Sequence, residues 1–332
     1  METPAGLEVA QGMPSAGCSP EQAQSYTRRL ATRHYENFNV VSWLLPRDLH
    51  QSFYNLYAYC RWADDLGDEI PDSSRALALL DEWEQELRLC YAGRATHPVL
   101  IALAETVRRH DIPEKPFSDL LIAFRRDQTV KRHPDWASVL DYCVYSANPV
   151  GRIVLYVCGY HDPGRQELSD WTCTALQLAN FWQDVAGDLD KGRIYIPLAH
   201  LGAHRLSEAD LAARRFDARY ARMMKELVEY TRTLFARGRA LVGRVAGPIR
   251  VDIDMFSRGG LAVLDAIEAI GYNTIEHRPA LSKGVQARLL GRALVSRLFS
   301  PLLRPGLTEA EAEGGEGPAS SSSQRAVDSK HA

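Results

Sequence analysis

Two stretches decide the fold: Tyr57-Ala58-Tyr59-Cys60-Arg61-Trp62-Ala63-Asp64-Asp65-Leu66-Gly67-Asp68-Glu69, and Gln177-Leu178-Ala179-Asn180-Phe181-Trp182-Gln183-Asp184-Val185-Ala186-Gly187-Asp188. In the first, Tyr57, Arg61, Asp64 and Asp68 fall at i, i+4, i+7 and i+11, one stripe of a helix, with Asp65 and Glu69 alongside. In the second, Gln177, Asn180, Asp184 and Asp188 fall at i, i+3, i+7 and i+11. An acidic run is usually a solvated helix face, and for the first stretch alone that reading stays open. The aromatic and apolar residues around each stripe suit a buried wall instead, and buried polar atoms need partners. Two such faces aimed at one another form a cage of hard oxygen ligands, suited to Mg²⁺ ions that grip a diphosphate. Asp64, Asp68, Asp184 and Asp188 are therefore the expected metal ligands, and ionisation of an allylic or related diphosphate is the expected chemistry.

Outward from these stretches the pattern stays helical. Between Ala76 and Tyr91, Leu79, Leu80, Trp83, Leu87 and Leu89 recur at helical intervals with charges between them. Segments near 48–69, 97–110, 116–127, 135–159, 167–188, 207–245, 249–271 and 283–303 read the same way. Pro71, Gly93, Pro113, Pro134, Pro163-Gly164, Gly192, Pro197 and Gly247-Pro248 separate them. No succession of strands, no strand–glycine loop–helix unit and no repeat is visible. The expectation is one all-α domain over 23–304. Residues 1–22, rich in Gly, Pro, Ser and Gln, read as a frayed N-terminus. Residues 305–332, an acidic glycine-rich run and then serines, read as a disordered tail.

The chain has 332 residues, 45% of them hydrophobic and 24% charged, and a formal charge of −3, which gives nucleic-acid binding no support. Its six cysteines form no C-x-x-C pair, which suits free thiols in a reducing cytoplasm. No secretory signal and no apolar run of membrane-spanning length are visible. The 283–303 segment mixes Arg with Leu, Val and Phe, which suits either a peripheral contact with a bilayer or packing into the core. His200 and His204 are four apart, but Gly202 lies between them and no H-E-x-x-H pattern surrounds them, so no zinc site is expected.

Two further elements suit the diphosphate chemistry. Lys191 and Arg193, in Asp190-Lys191-Gly192-Arg193-Ile194-Tyr195-Ile196-Pro197, follow the second acidic pair on a glycine-containing loop. Folded over a diphosphate, they would offset charge building on the leaving group; a basic helix end complementing its dipole is the plain alternative. In Tyr142-Cys143-Val144-Tyr145-Ser146-Ala147-Asn148-Pro149-Val150-Gly151-Arg152, Pro149 should interrupt the helix and Gly151 should permit close packing. A kink there would present Tyr145 and Asn148 to an apolar cavity, unless both merely serve a helix contact.

Taken together, these motifs resemble the squalene/phytoene synthase family over roughly residues 25–290. Asp64 to Asp68 is similar to its first D-x-x-x-D motif, with Tyr57 and Arg61 at the expected preceding positions. Asn180 to Asp188, followed by Lys191-Gly192-Arg193-Ile194-Tyr195-Ile196-Pro197, is similar to the second motif and its basic flap. Tyr142-Cys143-Val144-Tyr145 with Val150-Gly151 is similar to the kinked helix, whose tyrosine serves the second half-reaction. The resemblance implies the isoprenoid synthase fold, Mg²⁺ dependence, catalytic roles for Tyr57, Tyr145 and Asn148, and diphosphate contacts from Arg61, Asn180, Lys191 and Arg193. Typical squalene and phytoene synthases carry S-x-S-F near Phe38, A-G-x-V-G near Asn148 and R-D at Gln183-Asp184. This chain departs from them at each place. Glu36-Asn37-Phe38-Asn39-Val40, Ser42 to Pro46, Ser146 to Arg152 and Asn180 to Asp184 instead resemble the hopanoid-pathway branch that turns presqualene diphosphate and water into hydroxysqualene. Upstream and downstream enzymes of that pathway are the implied partners. Condensation of two prenyl diphosphates such as farnesyl diphosphate is the first alternative. A non-catalytic assembly or lipid-binding relative is the second.

Overall fold

The computed structural model describes residues 17–33 and 46–280; the 283–303 segment and the 36–45 motif positions lie outside the described residues. Fourteen α-helices occur among the described residues: α1 (Pro20–Arg33), α2 (His50–Asp68), α3 (Ser73–Tyr91), α4 (Pro98–Arg109), α5 (Lys115–Thr129), α6 (Trp136–Ser146), α7 (Asn148–Val157), α8 (Pro163–Gln183), α9 (Val185–Asp190), α10 (Leu198–Ala203), α11 (Glu208–Ala212), α12 (Ala218–Gly238), α13 (Leu241–Arg244) and α14 (Gly247–Ala269). Extended pairing among them is confined to one bridge, Arg132 with Ile194. The all-α expectation therefore describes this chain.

The helix starts follow local chemistry. Asp72, Asp135, Asp162 and Asp217 each accept a hydrogen bond from a backbone N–H of the first turn that follows. Helix α1 begins inside the stretch that composition reads as frayed. Ser19 Oγ accepts from the Gln22 N–H at 3.3 Å and Gln22 Oε1 accepts from the Ser19 N–H at 3.0 Å, a capping box with Pro20 at the first position. The run 135–159 divides at Ala147 (φ −121°, ψ −48°), and Pro149 sits in the first turn of α7, where its missing N–H costs nothing. Gly151 permits the close packing expected of it: a Cβ there would lie 2.4 Å from both Cys173 Sγ and Ser169 Oγ of α8. The run 207–245 divides into α11, α12 and α13, and the short α10 has no counterpart in the sequence periodicity.

Two apolar clusters form the core. One gathers Tyr59, Trp62, Trp83, Leu87 and Phe117 from α2, α3 and α5, with α1, α4 and α7 around them. The other gathers Trp182, Tyr220, Leu227, Phe235 and Leu264 from α8, α12 and α14, with α6. Helix α2 thus belongs to one cluster and α8 to the other. All six cysteines are free; Cys90 and Cys143 are buried and the rest half-buried. Among the described residues no helix is long and apolar enough to cross a membrane.

Candidate active site

Asp68 closes α2, while Asp184 both closes α8 and opens α9, whose first turn holds Asp188; the 191–197 loop follows and reaches Asp68. The second stripe is not one continuous helix. Asp184 leaves helical geometry (φ −109°, ψ 21°) and α9 restarts at Val185, although the Asp188 N–H still donates to the Asp184 carbonyl at 2.9 Å. Turning a helix at its acidic residue re-aims Asp188 relative to Asn180, which is exposed one turn upstream.

Arg193 ties the two clusters together. Its Nη2 donates to Asp68 Oδ1 at 2.7 Å, while its backbone N–H donates to the Asp188 carbonyl at 2.7 Å. Lys191 Nζ lies 3.6 Å from Asp68 Oδ2. The loop itself is anchored. Gly192 takes φ +70°, a conformation that favours glycine. Ile194 N–H donates to the Lys131 carbonyl at 3.0 Å, Leu198 N–H to the His133 carbonyl at 2.9 Å, and Arg132 Nη1 to the Gly192 carbonyl at 2.6 Å. Where the sequence suggests a loop free to fold over, the structure lays 191–198 along 131–134.

The titration of the acids follows from this layout. Burial pushes Asp188 up to about 7, with the Asp184 charge adding to it. Burial also raises Asp64, helped by Asp68. For Asp68, burial acts upward too, but the hydrogen bond and charge of Arg193 outweigh it and hold the carboxyl below its usual range. Half-exposed carboxylates in mutually repelling pairs are a donor set that fits a divalent cation bound by oxygen.

Of the other expected site residues, Tyr57 shares the α2 stripe, half-buried, and its hydroxyl is raised first by burial. Arg61 donates to buried Asp65 at 2.8 Å and stands 4.0 Å from Asp64. Asn148 is buried at the α6–α7 kink, and its Oδ1 accepts from Thr174 of α8 at 2.9 Å, one turn before Gln177. Tyr145 lies beneath the Arg126 guanidinium, 4.4 Å from ring centre to carbon. Gln183 donates to the Pro279 carbonyl at 2.8 Å.

Two residues outside the quoted motifs, Asp127 and Arg278, join the site, together with Tyr142, Phe181 and Tyr195, which lie within the motifs but carry no role in them. Tyr142 donates its hydroxyl to Asp127 Oδ2 at 2.9 Å. Burial lifts Asp127 to about 6, and it feels the charges of Arg193, Asp68 and Lys131. An acid on the apolar stripe of α5, four residues beyond buried Ala123 and seven beyond buried Leu120, was the available signal. Arg278 pairs with Asp184 through Nε at 3.0 Å and Nη2 at 3.1 Å, and no local pattern marks it. Phe181 and Tyr195 stack at 3.8 Å and 4°, with Tyr142 tilted against both, giving an aromatic wall beside Asp188.

Residues 31–285 match the squalene/phytoene synthase family. A hydroxysqualene synthase of Rhodopseudomonas palustris is 36% identical over 220 residues, 64% of this chain and 73% of the relative. A phytoene synthase of Arthrospira platensis is 28% identical over 264 residues, 76% of this chain and 85% of the relative. Among solved structures, squalene synthase HpnC from Alicyclobacillus acidocaldarius superposes with a TM-score of 0.74 at 43% identity, covering 76% of this chain and 96% of that one. The helices described above thus build the isoprenoid synthase fold.

Proposed function

The chain belongs to the squalene/phytoene synthase family, and from that premise we propose that it converts presqualene diphosphate and water to hydroxysqualene and diphosphate. The observation that carries the chemistry is the junction at Arg193, where a cation stands between the acids of α2 and those beside α9. Asp64, Asp68, Asp184 and Asp188 would hold Mg²⁺. The bound metal would act as a Lewis acid on the diphosphate oxygens.

The protein's own part is to bind, neutralise and shield. Lys191 and Arg193 take up negative charge as the carbon–oxygen bond breaks and its electron pair leaves with the diphosphate. Arg61 and Asn180 flank that position on their stripes. The carbocation would rest against the outer surface of the mutually stacked cluster of Tyr142, Phe181 and Tyr195. Water then forms the new carbon–oxygen bond and passes its proton to the departed diphosphate. Asn148, fixed by Thr174, orients that water, with Tyr57 and Tyr145 as the catalytic tyrosines; Tyr142, whose hydroxyl is held by Asp127, is a further candidate. The reaction is assigned to the cytoplasm, at the inner membrane face, with neighbouring hopanoid enzymes supplying and removing the hydrocarbon.

Likeness to the hydroxysqualene synthase supports the water-capturing reading. A second reading, head-to-head condensation of two farnesyl diphosphates or other prenyl diphosphates, is favoured by the naming of the 43% identical structure as a squalene synthase. Incubation with Mg²⁺ and either presqualene diphosphate or farnesyl diphosphate, without a nicotinamide cofactor, separates them. Hydroxysqualene from the first substrate alone is expected. Consumption of farnesyl diphosphate overturns the proposal in favour of condensation.

A further inference from the structure

Away from the aspartates, the fold brings together three side chains that the sequence keeps apart. His200 lies in α10 and His204 is the residue that caps its end, while Glu226 lies on α12. The four-residue spacing sets both imidazoles on one side, with ring centres 5.1 Å apart. His204 Nε2 is 3.0 Å from Glu226 Oε2, and His200 Nε2 is 3.7 Å from the same oxygen. One ligand atom from each residue lies within 4.8 Å of the other two.

We propose that His200, His204 and Glu226 bind a Zn²⁺-class transition-metal ion that ties α10 to α12. Tetrahedral ligands at bond lengths of about 2.0–2.1 Å stand roughly 3.4 Å from one another, and the two measured nitrogen–oxygen separations straddle that figure. Two imidazoles and one carboxylate form a borderline donor set that suits Zn²⁺ above Mg²⁺ or Ca²⁺.

A direct hydrogen bond joins His204 to Glu226, whereas His200 stands only at ion-pair range from the same oxygen. Its Nε2 is buried and has no hydrogen-bond partner, although it faces the carboxylate. The ring packs against Trp136, 5.9 Å away between centres and steeply inclined to it. The imidazoles are mostly covered, with side chains 17% and 13% exposed, whereas Glu226 is 55% exposed, so an ion has a solvent route to the site and room for a bound water. The segment 191–197, with Lys191 and Arg193, runs directly into α10. An ion here would fix the far end of that segment to α12, which packs on α8.

The test uses the full chain without a polyhistidine tag, in an Asp64→Asn/Asp184→Asn background that weakens the other candidate cation site. Zn²⁺ titration calorimetry in excess Mg²⁺, the visible spectrum of added Co²⁺, and the Zn²⁺-induced shift in Tm are the readouts. One Zn²⁺ per chain, a Co²⁺ spectrum of low coordination number and a rise in Tm are expected. His200→Gln and His204→Gln should each weaken binding by about tenfold or more. Glu226→Gln, at an exposed position, reports on the third ligand should a histidine variant fold poorly. Absence of Zn²⁺ binding, or equal binding by the parent and by Glu226→Gln and the histidine variants, overturns the site. Neither result depends on which prenyl substrate the enzyme takes.

Discussion

Acid should destabilise this protein through a buried residue of its aromatic core, His97. Its ring packs edge-on against Trp62 at 4.6 Å and Trp83 at 4.8 Å between centres. Its Nδ1 accepts from the Val99 N–H at 3.3 Å, capping α4, so the hydrogen of the neutral ring sits on Nε2. Protonation would turn the accepting nitrogen into a donor and bury a cation; burial accordingly depresses the imidazole to about 4, against a partly opposing pull from Glu86. In the unfolded chain the same group titrates near 6.5. The unfolded state therefore binds the extra proton first. Stability is fully present above 6.5 and falls as the pH drops toward 4, by about 3 kcal/mol in total.

The assay is urea unfolding from pH 8 to 4, comparing the parent with His97→Asn, which keeps a side chain able to cap the helix but removes the titration. The variant starts less stable, since it loses the aromatic contacts. Its stability should nevertheless fall less steeply between pH 6.5 and 4, the difference in slope integrating to about 3 kcal/mol. Comparing slopes cancels the other buried groups, including Asp127, which titrate in both proteins. Parallel curves would refute the reasoning, because they would mean that His97 is already protonated in the native core or never titrates in the unfolded chain.

Two further outcomes are expected. Asp64→Asn and Asp184→Asn should each lower turnover about 10²–10³-fold or more while circular dichroism and Tm stay close to the parent, since both carboxylates lie at helix ends, half-exposed; full activity in both would remove the acidic pairs from the mechanism. Gly238→Ala should cost about 1–3 kcal/mol in urea unfolding, because the new Cβ would lie 2.2 Å from Thr172 Oγ1 and 2.9 Å from the Thr172 backbone nitrogen where α12 crosses α8. Gly243→Ala, with nothing within 4 Å of its Cβ, should instead be neutral or stabilising by up to about 1 kcal/mol, and equal losses in both would refute the crossing argument.

The readable parts of this protein are those in which function is written along one helix. The stripe from Tyr57 to Asp68 needs only the helical period to align, and it survives intact in α2. Gly151 is legible for a different reason: a glycine inside a helical run marks a close approach, and here that approach is to Ser169 and Cys173 of α8. The second acidic stripe is half legible. Its residues are right in kind, but the helix breaks at Asp184, and periodicity cannot foresee a break that leaves the following backbone hydrogen bond at Asp188 in place.

What the sequence hides is contact between elements. Arg278 reaches Asp184 across 94 positions and Arg193 reaches Asp68 across 125, and neither distance along the chain carries a local signature. Tyr142 and Tyr145 show how fine the boundary is. Both stand beside the kink, three residues apart, and a helix face at that spacing does not choose between them. The choice is made by α5, which offers Asp127 to one ring and Arg126 to the other. Because Asp127 and Arg126 are consecutive, they point to different sides of α5, and so the two tyrosines receive opposite charges from one turn of helix. The same logic governs His200 and His204. Their spacing on α10, interrupted by Gly202, gives no reason to expect a zinc site from the sequence, and only α12, delivering Glu226 from 22 positions beyond His204, places a third group beside the two imidazoles.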